Sequence, residues 1–125
     1  MSANAHLMNP LALAYVGDAV HELHVRESLA RTGGRVAALH RDAVRQVCCA
    51  AQAQALTRVV TLLTEAEQAI VRRGRNCHAR HDAPRHANPA EYAQATGLEA
   101  LLGYLYLSGQ GERILQLFDI AIPMP

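Results

Sequence analysis

The chain is 125 residues long, enough for a single domain around one hydrophobic core. Half of its residues are apolar, yet it has no Trp and one Phe, so the core must be built from Ala, Leu and Val, which favours close-packed helices over sheets. Twelve basic residues (all Arg) against eleven acidic ones leave a formal charge of +1, which excludes a global field that would announce a nucleic-acid partner; any basic surface must be local.

The first ten residues, MSANAHLMNP, lack the basic-then-apolar pattern of a signal peptide, and no apolar run approaches the roughly 18 residues of a membrane span. The expectation is a cytoplasmic protein with no membrane partner. Asn9-Pro10 predicts a helix start, with Asn as N-cap and Pro at the first helical position. Leu11 to Ala30 then reads as one long helix, because Leu13, Val16, Val20, Leu23 and Leu29 recur at three- and four-residue steps. Asp18 stands in it where the periodicity calls for apolar packing. Gly17 precedes it, in a helix interior where glycine costs about 1 kcal/mol relative to alanine, a cost tolerated where another backbone must come close. Either Asp18 has a partner, a metal or water to satisfy its charge, or it faces solvent and Gly17 is incidental.

Gly33-Gly34 should end this helix. A second helical region spans about Val36 to Leu63, with a break at no predicted place. Val44, Val47, Cys48, Ala51, Ala55, Leu56, Val59, Val60 and Leu63 form its apolar stripe, and Arg41, Arg45 and Arg58 lie off it. Cys48, Cys49 and Cys77 make an odd count with no CxxC, which argues against a disulfide framework and for a reducing cytosol. Thr64-Glu65-Ala66-Glu67 is a capping box opening a short helix to about Arg73. Arg72 to His86 holds five Arg and three His against one acid, net +4 before any histidine protonates, and reads as a loop. Cys77, His78, His81 and His86 raise a zinc reading, but their spacing matches no closed structural site and adjacent Cys77 and His78 strain joint ligation. Asn88-Pro89 caps a further helix, or pair of helices, running to Gly109, and a last short helix covers Glu112 to Asp119. With no strand-like alternation and no repeat, the fold class is all-α.

Glu99 repeats the oddity of Asp18: an acid among Leu98, Leu101, Leu102 and Leu105, with Gly103 one turn on. Helices that cross at their glycines could bring the two acids face to face. Two such carboxylates repel, and one has its pKa raised. A divalent cation relieves that repulsion; oxygen-only ligands suit Mg²⁺, and such an ion can activate water for phosphodiester hydrolysis. The alternative is a buried carboxylate pair, or two acids each bonded to a helix end.

YVGDAV and ATGLEALLGYLYL resemble the two acidic helices of the ribonuclease III catalytic domain. With VRRGRN between them, the order and spacing are similar to the small Mini-ribonuclease III branch of that family, over roughly Met8 to Gly109. The resemblance implies an all-helical homodimer that cleaves double-stranded RNA with Mg²⁺, leaving 3′-hydroxyl and 5′-phosphate ends. Asp18 and Glu99 match the family's metal-associated catalytic acids. Two further acids of larger members fall on Ala14 and Thr96 here, while Glu22 is either an outer-shell carboxylate or a surface acid. The resemblance places the first helix in the dimer interface and suggests maturation of the large-subunit (23S) ribosomal RNA precursor, with a ribosomal protein as a further partner.

Residues 1–125 are expected to form one catalytic domain, with no double-stranded-RNA-binding domain after Phe118, so this domain must grip duplex RNA by phosphates and 2′-hydroxyls itself. Arg72, Arg73, Arg75, Asn76, Arg80 and Arg85 are the candidate contacts, Arg75-Asn76 foremost because RGRN belongs to the resemblance; the alternative is a solvated charge run. His21 and His24 are expected at an interface or partly exposed, and Tyr15, Tyr104 and Tyr106 in core or dimer packing. The competing functional readings are a catalytically silent duplex-RNA-binding helical dimer and a helical scaffold with no RNA role.

Overall fold

A computed structural model describes residues 4–77 and 88–122. Among them are six α-helices: α1 (Pro10–Thr32), α2 (Val36–Val47), α3 (Cys49–Val59), α4 (Glu65–Cys77), α5 (Pro89–Leu107) and α6 (Gly111–Ala121). Short 3₁₀ turns cover Ala5–Leu7 and Val60–Leu62. The all-α expectation holds for the described residues, and α5 is the element the others surround, packing against α1, α3, α4 and α6.

The sequence makes α5 central because it is apolar on nearly every side. Ala95, Leu98, Ala100, Leu101, Leu102 and Leu105 are all buried, as a helix enclosed by others requires. Its start is set by Asn88, whose Oδ1 accepts from the backbone N–H of Ala90 at 2.9 Å and Glu91 at 3.2 Å, with Pro89 at the first position. The same device opens α1, where Asn9 Oδ1 accepts from Leu11 N–H at 2.8 Å. Gly33 ends α1 with φ +79°, a left-handed conformation that glycine adopts without penalty.

The predicted break in the second helical region falls at Cys48, which is extended (φ −69°, ψ 158°) between α2 and α3. Its cause is a set of side chains that take over the last carbonyls of α2. Cys48 Sγ donates to the Arg45 carbonyl at 3.3 Å, and Gln52 Nε2 donates to that of Val47 at 3.1 Å. His21 Nε2 reaches the Gln46 carbonyl from α1 at 3.1 Å. A carbonyl only accepts, so that ring nitrogen carries the proton.

The capping box forms as read: Glu67 N–H donates to Thr64 Oγ1 at 3.1 Å and Thr64 N–H to Glu67 Oε1 at 2.9 Å. Yet α4 does not stop at Arg73. It continues to Cys77, so residues 72–77 are helical where the polarity of the segment predicted a loop. The reason is tertiary: a Cβ on Gly74 would lie 3.0 Å from Gly97 Cα, so α4 nests against α5 just beyond its predicted end. Glu67 also holds α6 in place. The Arg113 guanidinium donates to both of its carboxylate oxygens, at 2.9 and 2.8 Å, and to the Leu62 carbonyl at 3.0 Å. Together with buried Ile114, Leu117 and Phe118 this closes the bundle over α3 and α5; each fully buried side chain of this size contributes about 1.5–3 kcal/mol.

Candidate active site

The site begins at the crossing of α1 and α5. A Cβ on Gly17 would stand 1.6 Å from the Glu99 carbonyl oxygen, and one on Gly103 would stand 1.9 Å from that of Leu13. No side chain fits, so the two backbones touch, and Asp18 is carried up against Glu99. Their side chains are hydrogen-bonded to each other. Asp18 is exposed while Glu99 is partly buried. Burial first, and the hydrogen bond and negative charge of Asp18 next, push Glu99 up to about 8. Glu99 therefore keeps its proton at neutral pH.

The two carboxyls are donors of the kind that could hold a divalent cation. Hard cations such as Mg²⁺ are held by one or two carboxylates, with water and substrate phosphate completing the coordination. The donor set here is two carboxylates on one open edge, and among the described residues no group of three or more His, Cys, Asp or Glu converges to hold a metal. The positions of the two further family acids are filled otherwise. Ala14 is buried with Leu13, Ile70 and Ala100, and Thr96 is buried with its hydroxyl donating to the Tyr92 carbonyl at 3.0 Å. Glu22 takes the surface-acid reading, its Oε1 accepting from Arg26 Nη2 at 2.6 Å. It shares with Asp18, Tyr15, Leu23 and Tyr106 an open groove of about 480 Å³ along α1.

Sequence reasoning passed over Gln52 of α3. It is 2% exposed and lies against Glu99. The available signal was an amide in the run Ala50 to Ala55, otherwise rich in alanine and partly buried. Cys49 is a second neighbour. Burial raises its thiol pKa, with the charges of Glu99, Cys48 and Glu91 adding to it.

The candidate RNA-binding residues divide. Arg72 and Asn76 are exposed on α4, and Arg75 lies partly buried with its stem against Gly97. Arg73 directs its fork at backbone, donating to the carbonyls of His6 at 2.5 Å and Met8 at 3.0 Å and pinning the N-terminal turn to α4. Arg80 and Arg85 lie outside the described residues, as do His78, His81 and His86 of the zinc reading. His21 corrects its expectation: it is 1% exposed, 5.9 Å from the Phe118 ring, and burial pushes its pKa down. His24 is partly exposed as expected. Tyr104 packs against the core, whereas Tyr15 and Tyr106 are exposed.

Residues 11–110 match the ribonuclease III domain family. The chain is 52% identical over 120 residues to a Mini-ribonuclease 3 of Symbiobacterium thermophilum, covering 95% of this chain and 92% of that relative. It is 41% identical over 116 residues to a Mini-ribonuclease 3 of a Thermoanaerobacter species, covering 92% and 81%. Its fold is similar to the crystal structure of a Fusobacterium nucleatum protein, with a TM-score of 0.83 at 30% identity over 91% of this chain and 87% of that one.

Proposed function

The chain belongs to the ribonuclease III family, in its Mini-ribonuclease 3 branch, and from that premise we propose how its residues act as a double-stranded-RNA-specific endoribonuclease. Asp18 and Glu99 are the catalytic acids, and both hold Mg²⁺. The observation that carries this reading is the contact between their carboxyls at the glycine crossing. When bound, the ion supplies an activated water and charge for the developing phosphate oxyanion. The chain's own part is to offer Asp18 from the exposed side and Glu99 from the buried one, and to release the proton that Glu99 otherwise keeps.

The protein acts as a homodimer through α1. The support is a row of large apolar side chains left open beside the acids: Tyr15 is 84% exposed, Leu23 63%, Leu115 52% and Tyr106 48%. They line two neighbouring grooves on α1, α5 and α6, and a patch of this kind marks an interaction surface. Arg72, Arg75, Asn76, Arg80 and Arg85 contact the phosphates, the catalytic domain gripping the duplex itself, while Arg73 is taken up by the His6 and Met8 carbonyls. The substrate is the large-subunit ribosomal RNA precursor, with a ribosomal protein as a further partner, in the cytoplasm.

The test is long duplex RNA incubated with wild type, Asp18→Asn and Glu99→Gln, with and without Mg²⁺. Cleavage is expected only with wild type and the ion. Each substitution should cost more than the roughly 10- to 100-fold typical of outer-shell changes, while duplex binding persists. The buried Ala14 and Thr96, which remove two of the larger members' acids, favour a second reading: a duplex-binding dimer without catalysis. Wild type that binds duplex RNA and never cuts it would establish that reading instead.

A further inference from the structure

Glu99 leans on a side chain deeper in the fold than itself. Gln52 is 2% exposed, and its Nε2 donates to the Val47 carbonyl at 3.1 Å. Its side chain also lies against the Glu99 carboxyl. The bond to Val47 anchors the amide, and its NH₂ group keeps a second hydrogen to donate.

The anchor itself is held. Val47 ends α2 beside the Gln46 carbonyl that His21 grips from α1, three residues beyond Asp18. The two acids are thus tied to one short stretch of backbone, Asp18 through its own helix and Glu99 through Gln52.

We propose that Gln52 is a positioning residue for Glu99: its amide, anchored on Val47, holds the Glu99 carboxyl facing Asp18, the orientation in which it can bind a divalent cation. Gln52 touches neither the ion nor the RNA and acts through Glu99 alone. This rests on the reading of Asp18 and Glu99 as a cation site. Partners that orient metal-binding carboxylates in this way typically govern 10- to 100-fold of metal affinity or activity.

The test uses the full chain and Mn²⁺ as a paramagnetic probe, free ion being counted by electron paramagnetic resonance without RNA. Gln52→Met keeps the length of the side chain and removes the donor. It is expected to weaken Mn²⁺ binding about tenfold or more, and to lower kcat on duplex RNA by a similar factor with KM unchanged. In the Glu99→Gln background the same substitution should change Mn²⁺ binding no further. A readout that leaves Gln52 in place is its side-chain amide resonance in ¹⁵N-labelled protein, which should shift on adding Mg²⁺ and again in Glu99→Ala. Mn²⁺ affinity within twofold of wild type in Gln52→Met, or an amide resonance indifferent to both Mg²⁺ and Glu99→Ala, overturns the role of Gln52 while leaving the cation site standing. Wild type that binds no Mn²⁺ overturns the cation site, and this inference with it.

Discussion

Asp18 and Glu99 carry one fewer negative charge between them at neutral pH than two free carboxylates would, because Glu99 is pushed up to about 8 by burial and by Asp18. The sign of the consequence follows from competition between proton and cation. Below pH 8 Glu99 holds its proton, so Mg²⁺ must displace it, and apparent affinity should fall by about tenfold per pH unit as pH is lowered. Binding at pH 7 should release close to one proton, measured by calorimetry in buffers of different ionisation enthalpy; Glu99→Gln should abolish the release. The raised pKa also acts on the fold. Its stabilising contribution is full below the ordinary value of 4.5 and is lost as pH rises through about 8, so the metal-free protein loses this contribution at alkaline pH and Mg²⁺ restores stability there. The two acids could be read from sequence because each interrupts an apolar helix stripe. Gln52 could not, since a glutamine in a helix looks like a solvated residue until the fold covers it.

The crossing of α1 and α5 is the element-scale device that makes the pair. Gly17→Ala places a methyl where the Glu99 carbonyl stands, and neither partner is a flexible side-chain end that could swing away. Overpacking of this kind typically costs 1–3 kcal/mol, and a backbone clash lies at the upper end. Thermal unfolding should show that loss, together with loss of cleavage as Asp18 and Glu99 are driven apart. Gly111→Ala, where nothing lies within 4 Å, should change stability by no more than about 0.5 kcal/mol and leave cleavage intact. Capping residues, by contrast, announced the helix starts at Asn9, Thr64 and Asn88, because each bonds within three residues of itself. The break at Cys48 had no such local marker. One of the carbonyls that end α2 is taken by His21, 25 residues away along the chain. The length of α4 is not legible in the sequence for a like reason: its polar end is helical because Gly74 meets Gly97 of another helix.

At the scale of the whole molecule, the apolar surface left over is as informative as the core. Leu23 and Tyr15 lie on the same helix as Asp18 and project from it into solvent. If α1 is the dimer interface, Leu23→Asp should convert the protein to a monomer by light scattering while its circular dichroism stays helical; a variant that remains dimeric moves the interface elsewhere. Closure of the bundle depends on the Glu67–Arg113 pair, in which both carboxylate oxygens are bound and Glu67 is held below its ordinary pKa, chiefly by its hydrogen bond to Arg113. Nothing along the sequence links these two, 46 positions apart; only the seating of α6 against α3 and α5 does.

The chain by itself determined the helical class, the helix starts, the two out-of-place acids and the family, because these depend on period, on capping bonds within one turn and on short motifs. Tertiary structure alone decided that Asp18 and Glu99 touch, that Gln52 stands behind Glu99, that Arg73 serves the N-terminal turn and that His21 is buried. Each of those depends on which backbone approaches which. That approach is governed by where glycines let helices cross, a distance in space that no spacing in sequence encodes.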